Sequence, residues 1–378
     1  MPLTDDMKLI SVDDHVIEPP HVWSDRLPER YREAGPHVVD GPDDTQAWVW
    51  EGRSYPISLQ GSPRTRKFRG DGTGDDFHSR AYADMVEGAY DVHERVKAMD
   101  EDGVWAQLLF PTFPRFAGTA FLDAEDKELG LLVVQGYNDW MIDEWCGAYP
   151  DRFIPMIVTP LWDPAAAAQE IERCAAKGAK AITFPESPVP LGLPSFWTRH
   201  WDPVFAAAEA TGLPLCMHIG TSGQLVIPSP ESDFAVPISL CGLNAMSACA
   251  DLVYSGMLHR HPGVKIALSE GGSGWVPYLV ERMDYTWERT RTSVDKSISP
   301  SELFQRHFWS CFISDQFAID SRHEIGIDKL MWEGDYPHND SQWPNSRVLL
   351  EKAVADVPDD DVRRIVELNA RALFDFDA

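Results

Sequence analysis

Positive charge is scarce in this chain. Its 33 lysines and arginines face 60 aspartates and glutamates, a formal net charge of −27 over 378 residues. Nucleic-acid binding needs a basic face that displaces counterions, and anionic membranes attract clusters of lysine and arginine. Neither partner is expected. No apolar run approaches the ~18 residues of a membrane span, and the N-terminus shows no apolar core of a secretion signal. The six cysteines (Cys146, Cys174, Cys216, Cys241, Cys249, Cys311) include no Cys-x-x-Cys pair, and several lie in apolar runs such as Leu213-Pro-Leu-Cys-Met217. They read as buried, reduced thiols rather than disulfides or a cysteine zinc site. No solenoid-type repeat is visible. These absences leave a cytoplasmic protein whose partner is a small molecule.

What is present is an alternation of short apolar runs with amphipathic helical stretches. Leu9–Val12, Trp105–Phe110, Phe153–Val158, Ala179–Phe184, Leu213–His218, Val264–Glu270, His307–Ile313 and Lys329–Asp335 are the runs. Helical patterns follow several of them, at about 125–149, 165–177, 203–211, 240–254 and 276–289. Strands alternating with helices predict a parallel sheet. Eight such units predict an α/β fold of the (β/α)8 (TIM) barrel type, with its site at the carboxyl ends of the strands. A barrel needs about 250 residues, so the chain reads as a single domain, 1–378, with room for an elaboration. That elaboration is the Pro-, Gly- and charge-rich stretch 16–95 between strands one and two, an insertion read as a lid or an oligomer contact. Within it Ala47–Ile57 predicts a small hairpin turning at Glu51-Gly52. Asp91–Asp100 predicts a helix closed by Gly103.

The polar residues ending these runs would meet at one mouth. The first strand ends in Asp13-Asp14-His15, and alternation along an extended chain puts Asp13 and His15 on one side with Asp14 on the other. The fifth ends in His218, the sixth in Glu270-Gly-Gly and the eighth in Asp335. Each has an ordinary reading as a satisfied histidine, a helix cap or a turn. Carboxylate and imidazole converging from separate strands instead suit a zinc, iron or manganese site.

Asp13-Asp-His15 with Glu18-Pro19, His218 in Met-His-Ile-Gly, Glu270-Gly-Gly and Gly334-Asp-Tyr-Pro-His338 together resemble the amidohydrolase superfamily. The similarity is to the branch that includes aminocarboxymuconate semialdehyde decarboxylase and the resorcylate and carboxyvanillate decarboxylases. It covers nearly the whole chain. The resemblance implies one divalent metal, Zn2+ or Mn2+, on Asp13, His15, His218 and Asp335, and a homodimer. Two features depart from the branch: Glu270 stands where many of these decarboxylases have histidine, and the first triplet begins with Asp. The fourth strand lacks the terminal lysine that binuclear relatives carboxylate, which favours a single metal.

The reading placed first is decarboxylation of an aromatic or unsaturated carboxylic acid, with His218, Glu270 and Asp335 as catalytic residues. The second is hydrolysis of an amide, ester, lactone or C–C bond by metal-activated water with Glu270 as base. The third is a binding protein without catalysis. Arg115 is the expected cation for a substrate carboxylate, with Arg64 and Arg66 weaker candidates. Trp275, His338 and Trp343 are expected at the substrate, and Trp162 and Trp332 lie at similar positions.

Overall fold

The computed structural model describes residues 3–57, 79–233, 235–290 and 295–377. Its apolar runs become eight parallel strands: β1 (Leu9–Val16), β2 (Val104–Pro111), β3 (Phe153–Ile154 and Met156–Ile157), β4 (Ala181–Thr183), β5 (Leu215–His218), β6 (Ile266–Ser269), β7 (Phe308–Phe312) and β8 (Leu330–Trp332). Pro155 splits β3 because it has no N–H for the ladder. The first half pairs with β2 and the second with β4. One broken strand thus joins a three-stranded and a six-stranded sheet.

Beyond β8 the chain closes the ring against β1, where Asp335 N–H donates to the Asp13 carbonyl and His15 N–H to the Tyr336 carbonyl, both at 2.7 Å. The fold is the expected TIM barrel. Ile10, Val12, Leu108, Phe110, Met156, Cys216 and Cys311 are among the side chains filling its interior, and Leu373, Phe374 and Phe376 of the C-terminal segment pack onto that same core.

Helices α1 (Val92–Asp102), α2 (Lys127–Asp139), α3 (Pro164–Ala176), α4 (Asp202–Thr211), α5 (Gly242–Tyr254) and α6 (Val276–Arg289) follow the first six strands in turn, and the short α7 (Gln316–Asp320) and α8 (Ser346–Ala353) follow β7 and β8. Asp91, Asp126 and Asp163 cap the first three through their carboxylates. Gly103 ends α1 at φ 75°, a left-handed position that favours glycine.

Between β1 and α1 the predicted hairpin forms, with Gln46–Trp50 antiparallel to Arg53–Pro56 and Glu51 and Gly52 both at positive φ. A third strand, His37–Asp40, joins it; that segment is too short and polar to read as a strand in advance. Alternation puts Trp48 and Trp50 on the buried face, where Trp48 packs edge-on to Trp23 and stacked with Phe113. The Glu51 carboxylate accepts the Glu125 and Asp126 N–H groups, so the hairpin tip is fastened to the segment entering α2. Arg64 and Arg66 lie outside the described residues. All six cysteines are free thiols, and no helix among the described residues is long and apolar enough to cross a membrane.

Candidate metal centre

The register of β1 against β2 slips between Ser11 and Asp14. Such a bulge re-aims side chains. Ile10 and Val12 stay in the barrel core while Asp13 and His15, one step out of phase, reach its mouth. Asp14 turns away, as expected, and its Oδ1 accepts the Tyr336 N–H at 2.8 Å. Ser11 Oγ accepts the Gly334 N–H at 2.8 Å. These two side chains clip the eighth strand's loop to the first strand.

Four of the predicted residues meet there. His15 Nε2 lies 3.5 Å from Asp13 Oδ1 and 3.2 Å from Asp335 Oδ1. His218 Nε2 lies 3.6 Å from Asp13 Oδ2. The His218 Nδ1 accompanies this by bonding the Ile219 carbonyl at 2.6 Å, which makes Nδ1 the donor and leaves Nε2 free for a metal. All four side chains are buried, and both oxygens of Asp13 and of Asp335 and the Nε2 atoms of His15 and His218 make no hydrogen bond among the described residues. Buried polar atoms without partners are costly. Ligand atoms of Asp13, His15 and His218 lie within 4.8 Å of one another, as do those of His15, Asp335 and His338, a donor set around His15 that fits a divalent cation.

Electrostatics agree with the geometry. Burial, with Glu333, Glu270, Asp335 and Asp14 close by, pushes the Asp13 carboxyl well above its usual range. Burial and the neighbouring His338 and His218 pull His15 down. Burial also lowers His218, but Glu270 outweighs it and the net direction is up.

Glu270 follows β6 at φ 56°, and its Oε2 stands 2.9 Å from His218 Nε2. Gly271 allows the close approach of α5, since a Cβ there would lie 2.5 Å from that of Ala245. His338 Nδ1 lies 2.9 Å from Asp335 Oδ1, and its ring stacks on His15 with centroids 3.7 Å apart. It therefore touches the predicted ligands themselves.

The other expected substrate contacts sit farther out. A cavity of 240 Å³ beside the cluster is lined by Glu270, Glu333, Asp315, Asp340, Gln342 and Phe312 among others, and by none of the four expected tryptophans. Trp275 spends its indole N–H on the Gly271 and Gly272 carbonyls, and Trp343 on that of Ala98. Trp332 is core. Trp162 lies under the Lys127 ammonium, 5.0 Å from ring centroid to Nζ. Arg115 is exposed, with its guanidinium 5.9 Å from the Tyr55 ring.

Phe110 and Phe116, not singled out beforehand, are the aromatic walls; Phe116 lies 4.7 Å from the His15 ring and 4.5 Å from that of His218. For Phe116, position after β2 and next to Arg115 was the available signal. Glu18 and Arg95 were also missed as supports. Glu18 is buried and accepts the Thr112 and Phe113 N–H groups at 2.9 and 2.8 Å; burial raises its carboxyl to about 7 despite them. Arg95 is wholly buried and donates to the carbonyls of His15 and Gly88 and to Gln107 Oε1.

A closed parallel barrel with carboxylate and imidazole donors at the ends of its first, fifth and eighth strands defines a metal-binding TIM barrel. The chain belongs to the amidohydrolase family, whose sequence profile matches residues 44–376. It is 26% identical over 310 residues to a gamma-resorcylate decarboxylase of Rhizobium sp. (strain MTP-10005), covering 75% of this chain and 86% of that one. Among solved structures, an amidohydrolase of Mycobacterium avium subsp. paratuberculosis K-10 superposes with a TM-score of 0.75 at 24% identity, over 98% of this chain and 99% of that one. A 5-carboxyvanillate decarboxylase of Novosphingobium aromaticivorans DSM 12444, complexed with manganese and 4-hydroxy-3-methoxy-5-nitrobenzoic acid, superposes with a TM-score of 0.67 at 18% identity, over 99% of each chain. These two likenesses establish the shared fold.

Proposed function

We propose that this chain is a divalent-metal-dependent decarboxylase of an aromatic or unsaturated carboxylic acid. The observation that carries the reading is the gathering of buried carboxylate and imidazole donors from Asp13, His15, His218 and Asp335 around His15. Those four residues would hold one manganese or zinc ion, which supplies Lewis-acid polarisation of a substrate oxygen. The names of the relatives support the same reaction class. In it the bond between the ring carbon and the carboxylate breaks, the electron pair stays on carbon, and Glu270 delivers a proton there as CO2 leaves. Phe116 and Phe110 flank the ring, and His338 orients Asp335.

Hydrolysis is the second reading, and one observation favours it. Glu270 adjoins a cavity rich in carboxylates, where it suits a general base for water and where a substrate carboxylate meets like charge. The unspent donor set argues against a purely binding role.

The substrate partner is a small molecule. Residues 16–95 belong with the rest of the chain in one domain and act as a lid or a contact between two subunits of a homodimer. Free thiols fit a cytoplasmic setting. Arg115 meets the substrate carboxylate once the mouth closes; Arg115→Ala then raises KM for carboxylated substrates about tenfold, and an unchanged KM removes it from the pocket. Trp275 and Trp343 act by shaping the loops that bear Glu270 and His338.

The deciding experiment loads the protein with manganese and offers hydroxybenzoates alongside amides, esters and lactones. Release of CO2 supports the lyase. Turnover confined to the water-consuming panel replaces it with the hydrolase.

A further inference from the structure

The fourth strand brings no ligand to the mouth, yet the loop that leaves it carries a buried carboxylate. Glu186 follows β4 in Phe184-Pro-Glu186 and is 2% exposed. A buried carboxylate ordinarily has a cation beside it. The partners of this one are neutral groups of the next βα unit. Its Oε2 accepts the Thr221 hydroxyl, its Oε1 accepts the Ser222 hydroxyl at 2.8 Å and the Asn244 amide at 3.3 Å, and its N–H donates to Thr221 Oγ1 at 3.0 Å. Thr221 and Ser222 are buried as well.

What these bonds hold is the turn that carries His218. The Thr221 N–H donates to the His218 carbonyl at 3.3 Å, closing a turn over Ile219 and Gly220. Gly220 has φ 76°, and a positive φ at the third place marks a type II turn. The Ile219 carbonyl belongs to the central peptide of that turn. It accepts from His218 Nδ1 at 2.6 Å, which keeps the hydrogen on Nδ1 and leaves Nε2 to face Asp13 and Glu270. In a type I turn over the same residues that peptide is rotated by about half a turn. The carbonyl then leaves the ring, and Nδ1 loses its acceptor.

Glycine takes positive and negative φ about equally well, so Gly220 permits the type II turn without enforcing it. The choice falls to what fixes the far end. Thr221 Oγ1 lies 2.7 Å from the His218 carbonyl and within reach of Glu186 Oε2, with one hydrogen to serve both. Ser222 is bound to the other oxygen of the same carboxylate.

We propose that Glu186 is a positioning residue: it locks the turn from His218 to Thr221 and thereby fixes which nitrogen of His218 faces the ligand cluster. The role bears on catalysis through His218 as a metal ligand, and to that extent it rests on the function proposed above.

The test reads the ring directly by nuclear magnetic resonance, in metal-free protein whose histidines are isotopically labelled at nitrogen. Wild type should show a downfield Nδ1–H proton that exchanges slowly with water and is absent from His218→Ala. Glu186→Met keeps the bulk and removes the acceptors. In it that proton should exchange about tenfold faster, and manganese affinity in equilibrium dialysis should fall about tenfold. Glu186→Gln keeps a polar atom for each hydroxyl and should recover most of both losses, which a change of packing alone does not predict. Should Glu186→Met fail to fold, Thr221→Val, of the same shape without the hydroxyl, decides by the same two measurements. An unchanged exchange rate or manganese affinity in the folded variant, or a loss in Glu186→Gln equal to that in Glu186→Met, overturns the proposal. So does a wild-type spectrum without the protected proton. A wild type that shows the proton but binds no manganese overturns the metal reading and leaves the lock standing.

Discussion

Replacing Arg95 by methionine tests whether the metal cluster is held from behind. The guanidinium is fully buried and donates to the carbonyls of His15 and Gly88 and to Gln107 Oε1, with the Tyr336 ring 4.6 Å from its central carbon. Burial pulls its pKa down to about 10, against the opposing influence of Tyr336 and Asp14, so at neutral pH it is charged. Methionine retains much of the packing against Tyr336 but leaves three buried acceptors without a donor, each worth about 1–3 kcal/mol. Partial relaxation brings the expected loss to about 3–5 kcal/mol. Urea denaturation followed by tryptophan fluorescence measures it. The His15 carbonyl also loses its anchor, and manganese affinity, read by chelator competition, should fall about 10- to 100-fold. Arg95→Lys reaches fewer of the three acceptors and should recover only part of both losses. A loss below about 1 kcal/mol with unchanged metal affinity would refute the account.

Glu18 gives a pH test. Its folded value of about 7 exceeds the ordinary 4.5, so the folded state binds the extra proton; this contribution is complete below pH 4.5 and is lost as pH rises through 7. At roughly 1.4 kcal/mol per pH unit, the stability of wild type relative to Glu18→Gln should fall by about 3 kcal/mol across that window in paired urea titrations; a flat difference counts against the shift. Asp335→Asn and His218→Ala should each weaken manganese binding more than about 100-fold. His323→Ala, at an exposed side chain beside Asp361, should leave it unchanged in the same dialysis, and equal loss in all three would undo the ligand assignment. Trp48→Ala should cost about 3–5 kcal/mol by opening a hole between Trp23 and Phe113; a loss near zero would mean the hairpin does not pack in solution as it does here.

The barrel was legible because each strand is a short apolar run and several helices carry their own punctuation, such as Asp91 before α1 and Gly103 after it. Asp13, His15, His218, Glu270 and Asp335 were legible because a barrel sends all strand ends to one mouth, so position alone grouped residues that are distant in the chain. Arg95 and Glu333 were not. Arg95 sits on an amphipathic helix where an arginine is ordinarily solvated, and only its capture of the His15 carbonyl gives it meaning. Glu333 lies in Met-Trp-Glu-Gly-Asp, two residues before a stronger signal. The tryptophans show the limit of reading position alone. Nearness to a strand end in sequence does not say which way an indole turns, and Trp275 and Trp343 turn to backbone carbonyls.

What positions the cluster is backbone conformation as much as residue type. Glu270 and Asp335 both follow strand ends with φ near +55°, at 56° and 55°, a left-handed conformation that costs a non-glycine residue about 1–3 kcal/mol. Each has a bond that holds it there: the Glu270 N–H to Glu333, and the Asp335 N–H to the Asp13 carbonyl across the barrel seam. In the ordinary extended conformation a strand would continue, and alternation would carry these carboxylates off the mouth. The strain and its two anchors therefore belong to the site's function. They also tie the strands together: a change at Glu333 acts on the backbone of Glu270, whereas the Asp335 N–H is held by the main-chain carbonyl of residue 13, which a side-chain change there leaves in place.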